Sequence, residues 1–173
     1  MVRLPRIPRL RDLPNNETGS RWAILRRVKV YETGNPDHLL ITRFRIITTP
    51  WFGVMVHALE TPDETRHLHN HPWPFVTMIL RGGYDQLWAP SLEDAAKAVA
   101  TGASPITKRM RAGSIGRMNR HQFHAIATLH RRPTWTLFMT GPRGGAWGFA
   151  TADGFVDHDE YRLEEVTDDA PDG

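Results

Sequence analysis

The sequence predicts an all-β domain, an antiparallel sandwich or barrel with one helix inserted between its strands. Short β-rich runs follow one another at 8–12-residue intervals, a spacing typical of sandwiches and barrels. A single helical pattern interrupts these runs, and no internal repeat is present. The 173 residues, of which 40% are hydrophobic and 24% charged, suit one globular domain with a sizeable core.

The chain divides into an arm, a β domain and a tail. Three prolines within residues 1–20 forbid a helix there and predict an extended N-terminal arm. The β domain is expected to span residues 21–165, and residues 166–173 form an acidic C-terminal tail. The arm also carries four arginines, but it lacks interleaved aromatic residues, so contact with nucleic acid is disfavoured.

Alternating or continuous apolar runs bounded by turn residues define the strands. The predicted strands fall at 22–31, 39–48, 54–59, 66–71, 75–80, 84–88, 106–111, 114–118, 123–128, 135–140, 147–149 and 155–156. Gly82-Gly83 and Asp153-Gly154 each predict a hairpin turn, because glycine tolerates a positive φ. Ser91 is a good N-cap and Gly102 a good C-cap, which predicts one helix near residues 91–101.

Composition excludes several classes of site. The chain has no cysteine, so disulfides, zinc–thiolate sites and cysteine nucleophiles are excluded. No run of about 18 apolar residues predicts a transmembrane helix. The N-terminus lacks the apolar region of a secretory signal, so we expect a cytoplasmic protein that does not contact membranes.

The histidines carry the strongest signal of function. His67, His69 and His71 occupy alternate positions, and alternate residues of a strand point to the same face. His121 and His124 follow farther along the chain, after a glycine-rich stretch and before a predicted strand. Intervening strands leave enough chain to bring the second group beside the first. A polar, solvent-facing strand is the alternative interpretation of the first group.

These motifs resemble the two conserved motifs of cupins. His69-Asn70-His71 matches the His-x-His of the first motif and Gly82 its closing glycine, whereas Phe75-Val76 stands where a glutamate belongs. In the second motif, Gly113 matches the glycine and His124 the histidine. The string from His69 to Trp73, with the later Thr140-Gly141-Pro142 and Trp147-Gly148-Phe149, resembles small, mostly uncharacterised cupin-like proteins of bacteria and phages.

The resemblance implies a cupin jelly-roll barrel, also called a double-stranded β-helix, with a divalent metal ion at its mouth. On this match the ligands are His69, His71 and His124. The missing glutamate leaves three candidates for a fourth ligand, namely His67, His121 and Glu64. Three neutral imidazoles leave coordination positions open for water or substrate.

We therefore expect a mononuclear metal enzyme, with oxygenase chemistry on a small molecule as the first choice and isomerase or hydrolytic chemistry as the next. An anionic substrate is one option. A three-histidine set without a carboxylate resembles the iron centre of thiol dioxygenase cupins, so iron is preferred over zinc, nickel or manganese. Tyr84 is the candidate catalytic acid or base, provided that it faces the interior. A non-catalytic cupin that binds a ligand or acts as an oligomeric accessory protein is the alternative. A homodimer is expected from the resemblance.

Overall fold

The computed structural model describes residues 22–32, 35–63 and 67–161. In chain order the elements are β1 (Ala23–Glu32), β2 (Asn35–Thr48), β3 (Gly53–Leu59), β4 (Phe75–Arg81), β5 (Gly83–Ala89), α1 (Leu92–Thr101), β6 (Ile106–Arg111), β7 (Ile115–Met118), β8 (Phe123–Leu129), β9 (Thr134–Thr140), β10 (Gly148–Thr151) and β11 (Gly154–Asp157). The predicted arm and acidic tail lie outside the described residues, so the domain boundaries at 21 and 165 stay predictions.

The larger sheet has six antiparallel strands in the order β1-β2-β3-β9-β4-β7. Its register places Arg43 opposite His57, and His57 opposite Thr136. Thr136 in turn lies opposite Ile79. Directly opposed residues of antiparallel strands project from the same face. Because Ile79 is fully buried and Thr136 is 2% exposed, this row faces the interior of the domain.

The second layer contains β6-β5-β8 and the hairpin β10-β11. A short extended segment around His69 joins these two parts. Leu68 accepts a hydrogen bond from the backbone of Ala150, and Asn70 donates one to Gly148. On its other side, His69 pairs with His124 of β8. The predicted histidine strand is therefore a short bridge within this layer.

The predicted hairpin at Gly82-Gly83 is wrong. β4 pairs with β7 and β9, whereas β5 pairs with β6 and β8, so the two glycines carry the chain from one layer to the other. Both have a positive φ, of 84° and 150°. Glycines with a positive φ occur in connections between layers as well as in hairpin turns, so the local sequence does not distinguish these two structures. The hairpin at Asp153-Gly154 is present between β10 and β11.

The helix forms where its capping residues predict it. The Ser91 side chain accepts a hydrogen bond from the backbone N–H of Asp94 at 3.1 Å, and Gly102 ends α1 with a φ of 67°. Ala95 is fully buried against the second layer. The other buried members of this cluster are Leu68, Ala89, Phe123, Ala125 and Ala150.

Side chains from the two layers meet in the interior. Gln86 of β5 donates a hydrogen bond to the sulfur of Met118 in β7 at 3.8 Å, and Phe75 of β4 contacts the ring of His124 in β8. The all-β jelly roll with one inserted helix is therefore confirmed. Among the described strands, the hydrogen-bonded order does not close into a continuous barrel. No described helix combines the length and apolar character needed to cross a bilayer.

Candidate metal centre

The backbone holds His69 and His124 directly opposite each other. Each donates its N–H to the carbonyl oxygen of the other at 2.9 Å. Residues that exchange both hydrogen bonds in an antiparallel pair project their side chains to the same face. The two ring centroids accordingly lie 4.7 Å apart. Strand register, and not sequence proximity, therefore brings the two motifs together.

Asn70 fixes the chain between the two histidines of the first motif. Its side chain is 7% exposed. The amide nitrogen donates to the carbonyl oxygens of Arg120 and Ala146, each at 3.2 Å. The amide oxygen accepts from the N–H of Gly148 at 2.9 Å. These three bonds tie the motif to the loops before β8 and β10, and so limit the positions available to His71.

The three predicted ligands converge. One ring nitrogen from each of His69, His71 and His124 lies within 4.8 Å of the other two. The Nε2 atoms of His71 and His124 are 2.9 Å apart. Two nitrogens bound ~2.0–2.1 Å from one ion at right angles would be separated by about 2.8–3.0 Å. The observed separation thus fits adjacent positions on a single ion, as well as a direct hydrogen bond between the rings.

Burial keeps the three imidazoles neutral. It is the largest cause of the lowered pKa of His69, His71 and His124. Nearby imidazoles lower the pKa of His71 and His124 further, whereas Asp63 raises that of His69. Neutral rings retain a lone pair at neutral pH, which is the form that binds a metal ion.

Two nitrogens of the cluster are left without a partner. Nδ1 of His69 and Nδ1 of His124 are shielded from solvent, and no described residue forms a hydrogen bond with either atom. A buried polar group without a partner costs about 1–3 kcal/mol. The Nδ1 of His124 points away from the Nε2 that approaches His71, so the fit to a metal ion depends on the converging nitrogens. An all-imidazole donor set suits zinc, iron, nickel or copper better than magnesium or calcium.

Phe75, one of the two residues that stand where the cupin motif has a glutamate, lies against the cluster. Its ring contacts His71 edge-on at 5.0 Å and lies 5.8 Å from that of His124. The side chain is 6% exposed, so position 75 points into the site. The neighbouring Val76 projects from the opposite face of β4, because successive residues of a strand alternate.

None of the described candidates for a fourth ligand joins the cluster. His67 turns away, and its Nδ1 lies 3.1 Å from the hydroxyl of Tyr161. His121 is exposed on the loop before β8. Glu64 lies outside the described residues.

Tyr84 lies between the two layers and is 4% exposed. Burial raises the pKa of its phenol to about 12, against the opposing effect of a hydrogen bond with Thr77. A phenol with this pKa is protonated at neutral pH, so it can donate a hydrogen bond or a proton but does not serve as a base. Its role as a catalytic acid stays a prediction.

Two further polar groups on the interior row were not predicted as site residues. His57 is 8% exposed and stacks on Phe138 at 4.7 Å. Phe138 contacts Phe75 at 4.6 Å, which continues the row of rings to the histidine cluster. Arg43 lies opposite His57 and is partly buried. Alternation within β2 suggests that Arg43 and Phe44 face opposite sides, but only the register identifies the inner one.

Comparison with known proteins identifies the fold but not the activity. No protein-family model and no curated protein matches the chain. Among solved structures, the polyketide cyclase RemF from Streptomyces resistomycificus aligns over 94% of both chains, with a TM-score of 0.52 and 12% identity.

Two phosphonate enzymes align less well. Hydroxypropylphosphonic acid epoxidase from S. wedmorenis has a TM-score of 0.46 at 12% identity, over 66% of this chain and 55% of its own. HEPD from Streptomyces albus, solved with 2-hydroxyethylphosphonate and Fe(II), has a TM-score of 0.47 at 12% identity. That alignment covers 85% of this chain and 27% of HEPD. At these identities, RemF supports a cupin-type jelly roll and nothing narrower.

Proposed function

We propose that the protein is a mononuclear metal enzyme, with His69, His71 and His124 as the ligands of one divalent ion. The observation that carries this proposal is the convergence of three neutral ring nitrogens from two separate segments. Neither hydrophobic packing nor hydrogen bonding requires three imidazoles at one point, and two of these rings keep an unpartnered buried nitrogen among the described residues.

The reaction class that this site suits best is the oxygen-dependent conversion of a small molecule. When bound, the ion would supply Lewis acidity and positions for oxygen, water or substrate. Iron is our first choice, because a three-imidazole set without a carboxylate resembles the centres of thiol dioxygenase cupins. Isomerase or hydrolytic chemistry with zinc, nickel or manganese is the second choice.

The residues around the cluster would shape the reaction. Phe75 lies against two of the three rings and leaves the fourth protein position without a donor. Trp73 stacks beside His71 at 6.4 Å. Both aromatic side chains would exclude bulk water from one side of the site, which strengthens electrostatic interactions with a bound substrate. Tyr84 would donate a proton or a hydrogen bond from the interior.

Metal content tests the proposal directly. Tag-free protein, purified without chelators and reconstituted anaerobically with Fe(II), should hold about one ion per chain. His71→Ala should hold almost none, whereas His121→Ala, which changes an exposed histidine outside the cluster, should match the wild type. Oxygen uptake in the presence of candidate substrates then tests the reaction class.

Two results would contradict the proposal. Equal metal content in the wild type and in His71→Ala would place the ion elsewhere. A folded protein that binds no Fe(II), Zn(II), Ni(II) or Mn(II) would favour the alternative of a non-catalytic ligand-binding protein.

A further inference from the structure

Arg43 and His57 place two nitrogen-rich side chains on the interior face of the larger sheet. They lie directly opposite each other in β2 and β3, in the row that ends at the fully buried Ile79. The ring of His57 stacks on Phe138, and Phe138 contacts Phe75. Phe75 in turn contacts His71. Arg43 and His57 thus belong to the same interior as the histidine cluster.

The Arg43 guanidinium has no counter-ion within the described part of the chain. No carboxylate in residues 22–32, 35–63 and 67–161 lies within ion-pair distance of it, and its Nε is shielded from solvent without a hydrogen-bond partner there. Nε2 of His57 is buried and unpartnered in the same way. Buried charges in proteins are normally paired, so the arrangement indicates a missing anion.

A further buried hydrogen-bond donor lies beside the histidine cluster. The Nε1–H of Trp73, whose ring stacks beside His71, is also buried without a partner among the described residues. Buried donors without partners, one of them on a guanidinium, are complementary to an oxyanion.

Arg43 and His57 both lower the pKa of His71, behind the larger effects of burial and of the other two cluster histidines. Arg43 also lowers the pKa of His57, after burial. Among the described carboxylates, Asp63 acts on the cluster by raising the pKa of His69. Its Oδ2 accepts a hydrogen bond from the N–H of Ile126 at 2.7 Å.

We infer that Arg43, assisted by His57, binds an oxyanion group of the substrate, while another part of the same molecule reaches the metal on the three histidines. The substrate class is a small molecule with a carboxylate or a phosphoryl-type group at one end. This inference rests on the proposed function for the metal end, but the anion end is formed by residues that bind no metal.

Anion titration of the full-length protein tests the inference. Inorganic phosphate and acetate are titrated separately by calorimetry into metal-free and Zn(II)-loaded protein, so the two arms separate a phosphoryl from a carboxylate preference. Arg43→Gln should weaken binding of the preferred anion by about tenfold or more, because a charge-assisted hydrogen bond is lost. Its Zn(II) content should equal that of the wild type.

Arg81→Gln is the matched control, because Arg81 is exposed at the end of β4. It should bind the anion like the wild type. His57→Gln provides a second variant, with an expected severalfold loss, and it decides the question if circular dichroism shows that Arg43→Gln does not fold.

Three outcomes would overturn the inference. They are no binding of either anion by the wild type, equal affinity in Arg43→Gln and the wild type, and equal losses in Arg43→Gln and Arg81→Gln. Failure of the proposed function has a different signature, namely anion binding that depends on Arg43 in a protein that binds no metal.

Discussion

Two clusters of polar side chains in this molecule are assembled by strand register, and they differ in whether their polar atoms find partners within the described part of the chain. At the surface, Asp85 of β5 lies opposite Arg109 of β6. It accepts hydrogen bonds from Arg109 at 2.8 and 3.2 Å and from Thr128 at 3.3 Å, and its Oδ1 lies 3.1 Å from Nε2 of His130. In the interior, His69, His71 and His124 meet without any carboxylate among the described residues.

The difference shows how the same residue type acquires different roles. His130 beside Asp85 has an acceptor and belongs to a cluster whose oxygens already have several donors. The interior histidines converge on one point, and two of them have a buried nitrogen without a partner among the described residues. The surface cluster therefore stabilises the fold modestly, whereas the interior cluster is arranged for a ligand.

The largest expected effect follows from removing one interior ligand. His69→Ala, His71→Ala and His124→Ala should each weaken divalent metal binding by more than about 100-fold, beyond the roughly 10–100-fold typical of losing an outer partner of a ligand. His130→Ala is the control from the surface cluster and should bind metal like the wild type. Metal competition with a chromogenic chelator measures the difference. A comparable loss of metal affinity in His130→Ala would mean that the interior cluster is not the specific metal-binding site.

Phe75→Glu should give the interior cluster the carboxylate that it lacks. Without metal, the buried carboxylate should lower the free energy of unfolding by roughly 3 kcal/mol or more, since packing is lost and a charge is buried. With Zn(II) most of this loss should be recovered. In Co(II)-loaded protein, azide should bind more weakly than in the wild type, because a coordination position is filled and the charge is reduced.

Val76→Glu is the control for this substitution, because residue 76 projects from the opposite face of β4. Visible absorption of the Co(II) protein should report unchanged azide binding in this variant. If azide binds equally well to Phe75→Glu, the glutamate does not reach the metal, and position 75 is not the vacant ligand position.

The sequence predicted the interior cluster better than its surroundings. The alternation of the first three histidines and the resemblance to cupin motifs identified the residues that converge, and Ser91 and Gly102 predicted the helix ends. Arg43 and His57 were not predicted as site residues, because the inner face of a strand depends on a register set by distant strands. The same reason explains the error at Gly82-Gly83. The metal ligands' role, the cytoplasmic location and the homodimer stay predictions.

Asn70→Ala should lower both the free energy of unfolding and the metal affinity, with a smaller loss of affinity than removal of a ligand causes. The substitution leaves the carbonyl oxygens of Arg120 and Ala146 and the N–H of Gly148 without their partner. Losing buried hydrogen bonds of this kind should cost about 2–3 kcal/mol of unfolding free energy in urea titrations. Metal affinity should fall about tenfold, because the backbone between two ligands loosens.

Asn119→Ala is the control for Asn70→Ala. The Asn119 side chain also bonds to backbone, accepting from the N–H of His121 at 2.9 Å, but it does so in an exposed loop. A loss of less than about 1 kcal/mol, with unchanged metal affinity, is expected there. Equal effects in the two variants would mean that burial of Asn70 is not what fixes the motif.

The smallest effect belongs to the surface cluster and depends on pH. The hydrogen bond from Arg109 is the main reason why the pKa of Asp85 falls from 3.8 to about 2. Because the folded-state pKa is the lower one, ionised Asp85 stabilises the folded state above pH 3.8, and this contribution is lost as the pH falls through about 2. Asp85→Asn should therefore be slightly less stable than the wild type at pH 7, with the difference shrinking towards pH 2. High salt should shrink it at pH 7 as well, since exposed charges are screened, while metal content stays unchanged. Urea titrations at pH 7 and near pH 2.5 measure the difference, and one that persists at the lower pH would show that Asp85 acts through packing instead of its charge.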